Sequence, residues 1–229
     1  MNEPATQFQI FQCLRSECRF RFPMTADPNP GQSPELYCPK CGSLTQPIGP
    51  AYANDKEQTS APTCPCPSLK GGVRGGCAVE ALLDNIRSTY NVGSMFRTAD
   101  GAGLRHLHLS GLTPTPGNPK INKTSLGAEG VVPWSYHLNG LDTAMGLKGK
   151  GLRLWALEIS SQADSLFTVM PELTGPPILL VVGNEISGVD PSLLEVCDKV
   201  LAIPMLGQKR SLNVAIAFGI AVYHLRYGL

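Results

Sequence analysis

The sequence of 229 residues predicts an α/β domain on a mostly parallel sheet, with a small zinc-ribbon-like module ahead of it. Two observations predict this. From residue 77 onward, short apolar runs alternate with helical patterns, which is typical of parallel strands covered by helices on both faces. Near the start, four cysteines stand in two pairs, an arrangement common among zinc ligands. We therefore divide the chain into a module at 1–48, a linker at 49–76 and a main domain at 77–229.

Composition narrows the class of protein. The formal net charge of +1 excludes a polycation, so any contact with nucleic acid must come from local basic patches. The first residues lack the basic and apolar regions of a secretory signal, and no apolar run is long enough to span a membrane. We expect a cytoplasmic protein with no membrane partner. In that compartment the eight cysteines are metal ligands or free thiols rather than disulfides.

The proposed zinc ligands are Cys13, Cys18, Cys38 and Cys41. Four thiolates suit the closed tetrahedral coordination of a structural Zn²⁺. A module of this size buries too little surface to fold alone, so the metal would supply its stability. The alternative is four unliganded thiols. The neighbouring Phe20, Arg21 and Phe22 would cover the small core of the module, or would touch a base and a phosphate of RNA.

The linker is rich in Pro, Gly, Ser, Thr and Ala and has no periodic apolar pattern. Cys64 and Cys66 lie within it and Cys77 follows it. Because two residues in a proline-rich loop are poor ligand spacing, we interpret all three as free thiols.

Periodicity predicts the elements of the main domain in order. Strands are expected at 79–86, 104–110, 152–159, 178–182 and 199–203, and helices at 92–102, 141–148, 192–197 and from Ser211 to near the end. No glycine-rich dinucleotide fingerprint follows the first strand, and no P-loop is present.

Polar clusters follow three of these strands. In the first, NVGSMFRTAD, Asn91 is a candidate N-cap and Arg97 would lie on a helix face. In the second, VVGNE, Gly183 would let a ligand approach the backbone. In the third, IPMLGQKRSLN, Ser211 is a candidate N-cap. A strand, a glycine loop and a helix start make a suitable seat for a charged small ligand.

The last helix has apolar or small residues spaced three and four apart, so we expect this stripe to be buried. Its members are Leu212, Ala215, Ile216, Gly219, Ile220 and Tyr223.

Together, the segments NVGSMFRTAD, VVGNEISGVD and IPMLGQKRSLNVAIAFG resemble the three motifs of the SpoU (TrmH-like) RNA ribose 2′-O-methyltransferases of the SPOUT superfamily. The resemblance covers roughly residues 79–225. It implies a C-terminal deep trefoil knot, a homodimer with an active site shared between subunits, S-adenosylmethionine bound in the knot, and tRNA or rRNA as substrate.

By motif position, the resemblance also assigns residues. The catalytic set is Asn91, Arg97 and Glu185, and the cofactor set is Gly183, Ile203, Ser211, Leu212 and Asn213. Arg97 would act as the base or stabilise the developing alkoxide, and Glu185 would orient Arg97 or a ligand amine. Candidate phosphate contacts are Lys120, Lys123, Lys209 and Arg210.

Three other functions remain open on the sequence. The chain could be a non-catalytic RNA- or ribosome-binding protein of the same fold, a SPOUT enzyme that methylates a base, or a protein adaptor that acts through its zinc ribbon.

Overall fold

A computed structural model describes residues 6–26, 36–53, 78–170, 172 and 175–228 of the chain, and these residues form two sheets. The first sheet is antiparallel, in the order β2-β1-β3, and its strands are β1 (Gln7–Cys13), β2 (Arg21–Thr25) and β3 (Thr45–Ala53). Together with its cysteines we call this part the cysteine module. Strand β3 pairs with β1 as far as Ala53, so residues 49–53 are strand although we predicted linker there. Cys64, Cys66 and Cys77 lie outside the described residues.

The second sheet has seven strands in the order β6-β5-β4-β9-β7-β10-β8, and every pairing in it is parallel. The strands are β4 (Val79–Asp84), β5 (Leu107–Ser110), β6 (Trp134–His137), β7 (Arg153–Leu157), β8 (Asp164–Ser165), β9 (Ile178–Val182) and β10 (Lys199–Ala202). The predicted mostly parallel α/β sheet is confirmed.

Five α-helices connect these strands. They are α1 (Thr89–Ala102), α2 (Pro119–Ser125), α3 (Gly140–Gly149), α4 (Pro191–Val196) and α5 (Val214–Tyr227). The sequence analysis missed α2 and the two edge strands, β6 and β8. Helix α2 has a recognisable start, because Asn118 caps it and Pro119 fills its first turn. None of the helices in the described part of the chain has the length and apolarity needed to cross a membrane.

The helices cover both faces of the parallel sheet. Along β9, Ile178, Leu180 and Val182 face one core with α1 and α5, while Leu179 and Val181 face a second core with α3 and α4. All five are buried on one face or the other. A continuous apolar run is what a central parallel strand requires, since neither of its faces meets water.

Helix α5 buries a different face from the one predicted. Phe218, Ala221, Val222 and Leu225 are in the core, whereas Ile216 is 57 % exposed and Tyr223 is 38 % exposed. The predicted stripe is therefore only partly buried, since Ala215 and Ile220 pack against the core while Ile216 and Tyr223 face outward. Periodicity identified an apolar helix correctly, but it could not tell the inward face from the outward one, because both are apolar.

The cysteine module packs directly against the main domain. The Arg21 guanidinium donates to both carboxylate oxygens of Asp190, at 2.5 and 3.1 Å, and to Ser192 Oγ at 3.1 Å, at the start of α4. Both partners of this ion pair are only 4 % exposed. Beside it, Arg19 forms a more exposed pair with Asp142 of α3. Phe20 and Phe22 are buried in the core of the module, as predicted for a covering role.

Candidate active site

A concave site lies at the carboxyl ends of β7, β9 and β10. It is a pocket of about 180 Å³. Its walls are Leu157, Glu158, Ile159, Val182, Gly183, Asn184, Glu185, Ala202, Ile203, Met205, Ser211, Leu212, Asn213, Val214 and Ala217. Carboxyl ends of parallel strands are where ligands bind in open α/β sheets. All five residues of the predicted cofactor set line this one pocket.

A tight turn after β9 forms one wall. Asn184 and Gly188 exchange both backbone hydrogen bonds at 3.0 Å, and the Asn184 side chain accepts the N–H groups of Ile186 and Ser187. A Cβ on Gly183 would lie 2.4 Å from the backbone of Gly188. The glycine is therefore required by the turn packing back on it. Gly183 also lines the pocket, so the predicted approach of a ligand to its backbone stays a prediction beside this internal reason.

Glu185 leaves that turn and binds the start of α1. Its carboxylate accepts the N–H groups of Arg87 at 2.9 Å and Ser88 at 3.1 Å, and the amide of Asn91 at 2.9 Å. Burial by itself raises the pKa of Glu185, but these hydrogen bonds outweigh it and hold the pKa below its usual value. The predicted contact between Glu185 and Arg97 is absent among the hydrogen bonds and ion pairs of this chain's described residues; Glu185 instead fixes the N-terminus of α1.

Asn91 and Asn213 join the first and third motifs. Asn213 Nδ2 donates to Asn91 Oδ1 at 3.1 Å, and Asn213 Oδ1 accepts the N–H of Ala215 at 2.8 Å. Asn213 is thus the N-cap of α5, where Ser211 was predicted. Ser88 is the N-cap of α1, and Asn91 lies inside that helix. The two corrected caps place Asn91, Asn213 and Glu185 in one hydrogen-bonded row beside the pocket.

Glu158 is a pocket residue that the sequence analysis did not identify. It follows β7, and its carboxylate accepts the N–H of Ile159 at 2.9 Å and of Val189 at 2.8 Å. The latter bond ties β7 to the turn after β9. The sequence did contain a signal for Glu158, namely a carboxylate directly after a buried strand. That strand ends at the same edge of the sheet as the strands that precede the second and third polar clusters.

Comparison with known proteins identifies the domain around this pocket. The sequence model of the SpoU rRNA Methylase family matches residues 78–223. The chain belongs to the SpoU rRNA Methylase family. The match includes all three motifs and every element from β4 to most of α5.

Two RNA methyltransferases with established names are similar to this chain. The 23S rRNA (guanosine(2553)-2′-O)-methyltransferase RlmP of Bacillus subtilis is 36 % identical over 145 residues, which are 63 % of this chain and 56 % of that protein. The tRNA (guanosine(18)-2′-O)-methyltransferase of Aquifex aeolicus is 32 % identical over 152 residues. The match covers 62 % of this chain and 65 % of that protein. The chain therefore spans less than two thirds of these relatives.

Solved structures of RNA-modifying enzymes share the fold. The AdoMet-bound rRNA methyltransferase of Sinorhizobium meliloti superposes with a TM-score of 0.61 at 27 % identity, over 66 % of this chain and 56 % of that one. The TrmH/SpoU tRNA-modifying enzyme of A. aeolicus superposes with a TM-score of 0.59 at 27 % identity. The superposition covers 67 % of this chain and 76 % of that one.

The remaining SpoU motif residue, Arg97, lies outside the pocket. It is exposed on α1 and borders a surface depression together with Lys123 of α2 and Tyr223 of α5. Arg97 follows Asn91 by six residues, which is about 9 Å along a helix. The structure thus brings Arg97 and Lys123 together and leaves both apart from the pocket of the same chain. Lys209 and Arg210 are exposed on the loop that leads from β10 to the pocket wall.

The four module cysteines converge. Their sulfur atoms all lie within 4.8 Å of one another, with Cys13 and Cys41 at 3.5 Å and Cys18 and Cys38 at 3.8 Å. Sulfurs around a tetrahedral zinc lie about 3.8 Å apart, given zinc–sulfur bonds of about 2.3 Å. The donor set and its spacing therefore fit a structural Zn²⁺.

Proposed function

We propose that this chain is an S-adenosylmethionine-dependent RNA methyltransferase that modifies a ribose 2′-hydroxyl of tRNA or rRNA. The observation that carries the proposal is the convergence of the three SpoU motifs on one pocket. Beside that pocket Asn91 is hydrogen-bonded to both Glu185 and Asn213, although 122 residues separate Asn91 from Asn213. The named activities of the relatives and the AdoMet-bound neighbour support it.

The pocket suits a molecule with one flat apolar end and one cationic end. Leu157, Ile203 and Leu212 offer an apolar surface, while Glu158 and Glu185 add two acidic residues to the lining. S-adenosylmethionine combines an adenine ring with a positively charged sulfur that carries the transferable methyl group. Gly183, Ile203, Ser211, Leu212 and Asn213 would hold it. Their backbone is fixed by the turn after β9 and the cap of α5, so the site needs little reorganisation on binding.

Arg97 would act on the RNA. Methylation requires the sugar oxygen to lie in line with the methyl carbon, and correct positioning of reactants contributes up to about 7–11 kcal/mol in favourable cases. A guanidinium keeps its protons in proteins, so Arg97 would bind the adjacent phosphate and stabilise the negative charge that develops on the 2′-oxygen. The hydroxyl proton would leave to solvent or to that phosphate.

A homodimer would bring Arg97 to a pocket, namely that of the partner. The exposed apolar residues Ile216 and Tyr223 on α5 and Tyr90 on α1 support such an interface, because a monomer rarely leaves a helix face of this kind uncovered. We extend the proposal to the deep C-terminal trefoil knot. The loop from Ile203 to Asn213 lines the same pocket as the turn after β9, which is the proximity that threading requires.

The activity is tested with Arg97→Lys. We expect transfer of labelled methyl groups to RNA to fall at least about 100-fold, the usual effect of removing one charge-stabilising donor, while cofactor binding by calorimetry is unchanged. Arg105→Lys is the matched control, since Arg105 is exposed and precedes β5, away from the pocket. Transfer near the wild-type rate in Arg97→Lys would refute the assigned role. Absence of cofactor binding by the wild-type chain would favour a non-catalytic RNA-binding protein.

The shared site is tested by mixing two inactive variants, Arg97→Lys and Asn213→Ala. If each site combines one chain's pocket with the partner's arginine, random re-pairing restores one intact site in about four. Activity near one quarter of the wild-type value supports the dimeric site, and a mixture as inactive as its components contradicts it.

RNA would contact the basic side chains near both sites. Lys123, Lys209 and Arg210 are exposed, as is Lys120. Replacing one phosphate-binding lysine should weaken RNA affinity for all sequences and reduce the salt slope by about 1. An unchanged slope in Lys209→Gln would remove that residue as a phosphate contact.

The cysteine module, with Zn²⁺ at its four thiolates, would select the RNA that enters the site. Leu14, which directly follows Cys13, and Leu44 are exposed on the module and support contact with a partner there. Loss of metal from Cys41→Ser, measured as zinc per chain, tests the ligation; a full zinc equivalent in that variant would contradict it.

A further inference from the structure

The segment 183–190, which contains the turn after β9 and leads into α4, forms one wall of the pocket. Its first three residues, 183–185, line the pocket. Near its other end, Val189 donates its N–H at 2.8 Å to the carboxylate of Glu158, which is also a pocket residue. The shape of this wall therefore depends on how both ends of the segment 183–190 are held.

The cysteine module holds the far end of the segment through Arg21. The Arg21 guanidinium is bonded to both carboxylate oxygens of Asp190, the last residue of the segment, and donates to Ser192 Oγ at 3.1 Å. The side chains of Arg21 and Asp190 are both buried. A buried carboxylate that loses its counter-charge is strongly disfavoured, so the position of Asp190 depends on the docked module.

A second contact from the module reaches the middle of the segment. The hydroxyl of Tyr52, in β3, faces the hydroxyl of Ser187. Both oxygen atoms are buried, and neither has another hydrogen-bond partner within the part of the chain that the structure describes. Because a buried hydroxyl is costly to leave unpaired, each of the two depends on the other.

Charges around the Tyr52 hydroxyl place it close to the pocket. Burial raises the pKa of Tyr52, while the facing Ser187 hydroxyl lowers it. Three nearby carboxylates raise the pKa further, those of Asp190, Asp84 and Glu158. The Tyr52 hydroxyl is therefore within electrostatic reach of Glu158, the pocket residue to which Val189 is bonded.

The internal bonds of the segment carry the position of its far end to the pocket wall. Gly188 exchanges both backbone hydrogen bonds with Asn184 at 3.0 Å, and the Asn184 side chain accepts the N–H of Ser187 at 3.0 Å. A Cβ on Gly183 would lie 2.4 Å from the backbone of Gly188, so these two glycines are in close contact. A displacement of residues 187–190 must therefore move residues that line the pocket.

We propose that Arg21 and Tyr52 are positioning residues for the pocket, which hold the segment 183–190 in the shape that binds S-adenosylmethionine. This role rests on the proposed function, which supplies the cofactor. Neither residue is among the described residues that line the pocket, so both act through the segment. RNA on the cysteine module and cofactor in the pocket would then change each other's affinity, because both depend on the same docked arrangement.

The test measures the Kd for S-adenosylmethionine by calorimetry on the full-length protein, under conditions in which each variant is folded. If Arg21→Met leaves the segment in its binding shape for about one tenth of the time, the Kd rises about 10-fold. Arg19→Met is the matched control, because Arg19 pairs with Asp142 on α3, away from the pocket. An unchanged Kd in Arg21→Met, or an equal rise in both variants, would overturn the proposal.

A double variant separates positioning from general stability. Arg21→Met/Asp190→Asn removes the uncompensated charge, so part of the lost stability returns, but the tie between module and segment is still missing. We therefore expect its Kd to stay raised. A Kd that recovers together with stability would contradict positioning.

Tyr52→Phe tests the second contact with a smaller change. It should raise the Kd in the wild-type background and add little in the Arg21→Met background, where the segment is already released. An unchanged Kd in Tyr52→Phe would remove Tyr52 from the proposal.

Hydrogen exchange keeps this role separable from the proposed function. In Arg21→Met the amides of Gly188 and Val189 should exchange faster, by a larger factor than the amides of β9. Equal factors would indicate a general loss of stability and would overturn the role, whether or not the cofactor binds. Failure of the wild-type chain to bind S-adenosylmethionine would refute the proposed function and, with it, the cofactor named here.

Discussion

Replacing Arg21 by Met should detach the cysteine module from the main domain. The guanidinium is held between Asp190 and Ser192 of the main domain and Gln12 of its own module, and it is almost completely removed from water. Methionine fills a similar volume but leaves the Asp190 carboxylate buried without its counter-charge. The desolvation of that charge, rather than the loss of attraction, dominates the effect.

The expected magnitude follows from burial. Breaking a buried ion pair by removing one partner costs about 3–5 kcal/mol, whereas an exposed pair is worth about 0.2–1 kcal/mol. Arg19 and Asp142 supply the matched control two residues away, because their side chains are 52 % and 41 % exposed. Arg19→Met should therefore cost less than about 1 kcal/mol in the same chain.

The assay is urea unfolding of the zinc-loaded full-length protein, with hydrogen exchange at the first turn of α4 as a local readout. The double variant Arg21→Met/Asp190→Asn should recover part of the loss, since Asn retains the N-cap bond to Ser192 while removing the uncompensated charge. Equal stability of Arg21→Met and Arg19→Met would show that the module does not dock through this pair. If the stability losses of Arg21→Met and Asp190→Asn simply add in the double variant, the desolvation argument is refuted.

Three further outcomes are expected. Gly183→Ala should lose about 1–3 kcal/mol of stability, together with cofactor binding, because the added Cβ would lie 2.4 Å from the backbone of Gly188. The control is Gly207→Ala, whose Cβ would have no atom within 4 Å. Its free energy of unfolding, measured in the same urea titration, should stay within about 0.5 kcal/mol of wild type. Burial raises the pKa of Asp84 to about 6, so the folded chain binds more protons than the unfolded one between about pH 4 and pH 6. As the pH rises through that interval, the free energy of unfolding should therefore fall by about 3 kcal/mol more in the wild type than in Asp84→Asn. Parallel pH profiles of the two proteins would contradict this. The pKa of Glu185 is lowered in the fold, so its contribution is present above about pH 4.3 and disappears as the pH falls through the folded value. Glu185→Gln should be less stable than wild type at pH 7, and the two should converge in acid.

The fold class could be read from the sequence because its signals are local. The run at Ile178–Val182 is continuous and apolar, and it is the predicted strand without change of bounds. The weaker edge strand β6 escaped notice, since it alternates too little over four residues and its half-buried side chains are held by pairing with β5. Edge strands owe their position to a neighbour rather than to their own periodicity.

The N-caps illustrate the same division between what local sequence predicts and what contacts with distant segments determine. Ser211 and Asn91 both have the composition of a cap, but the chain stays non-helical through Ser211 and is already helical at Asn91. Asn213 caps α5 while its amide also reaches Asn91, a contact between segments far apart in sequence. Composition limits a cap to a few candidates, and long-range hydrogen bonds select among them.

By itself, the sequence determined the parallel α/β domain, the four-cysteine cluster and the motif residues that line the pocket, because hydrophobic periodicity and ligand spacing are properties of neighbouring residues. Only the tertiary structure decided that Glu185 binds the start of α1 instead of Arg97, that α5 turns Ile216 outward, and that Arg21 is buried against Asp190. Each of these depends on which surfaces meet when distant segments pack. A side chain's charge is encoded locally, but its partner is determined by the whole fold.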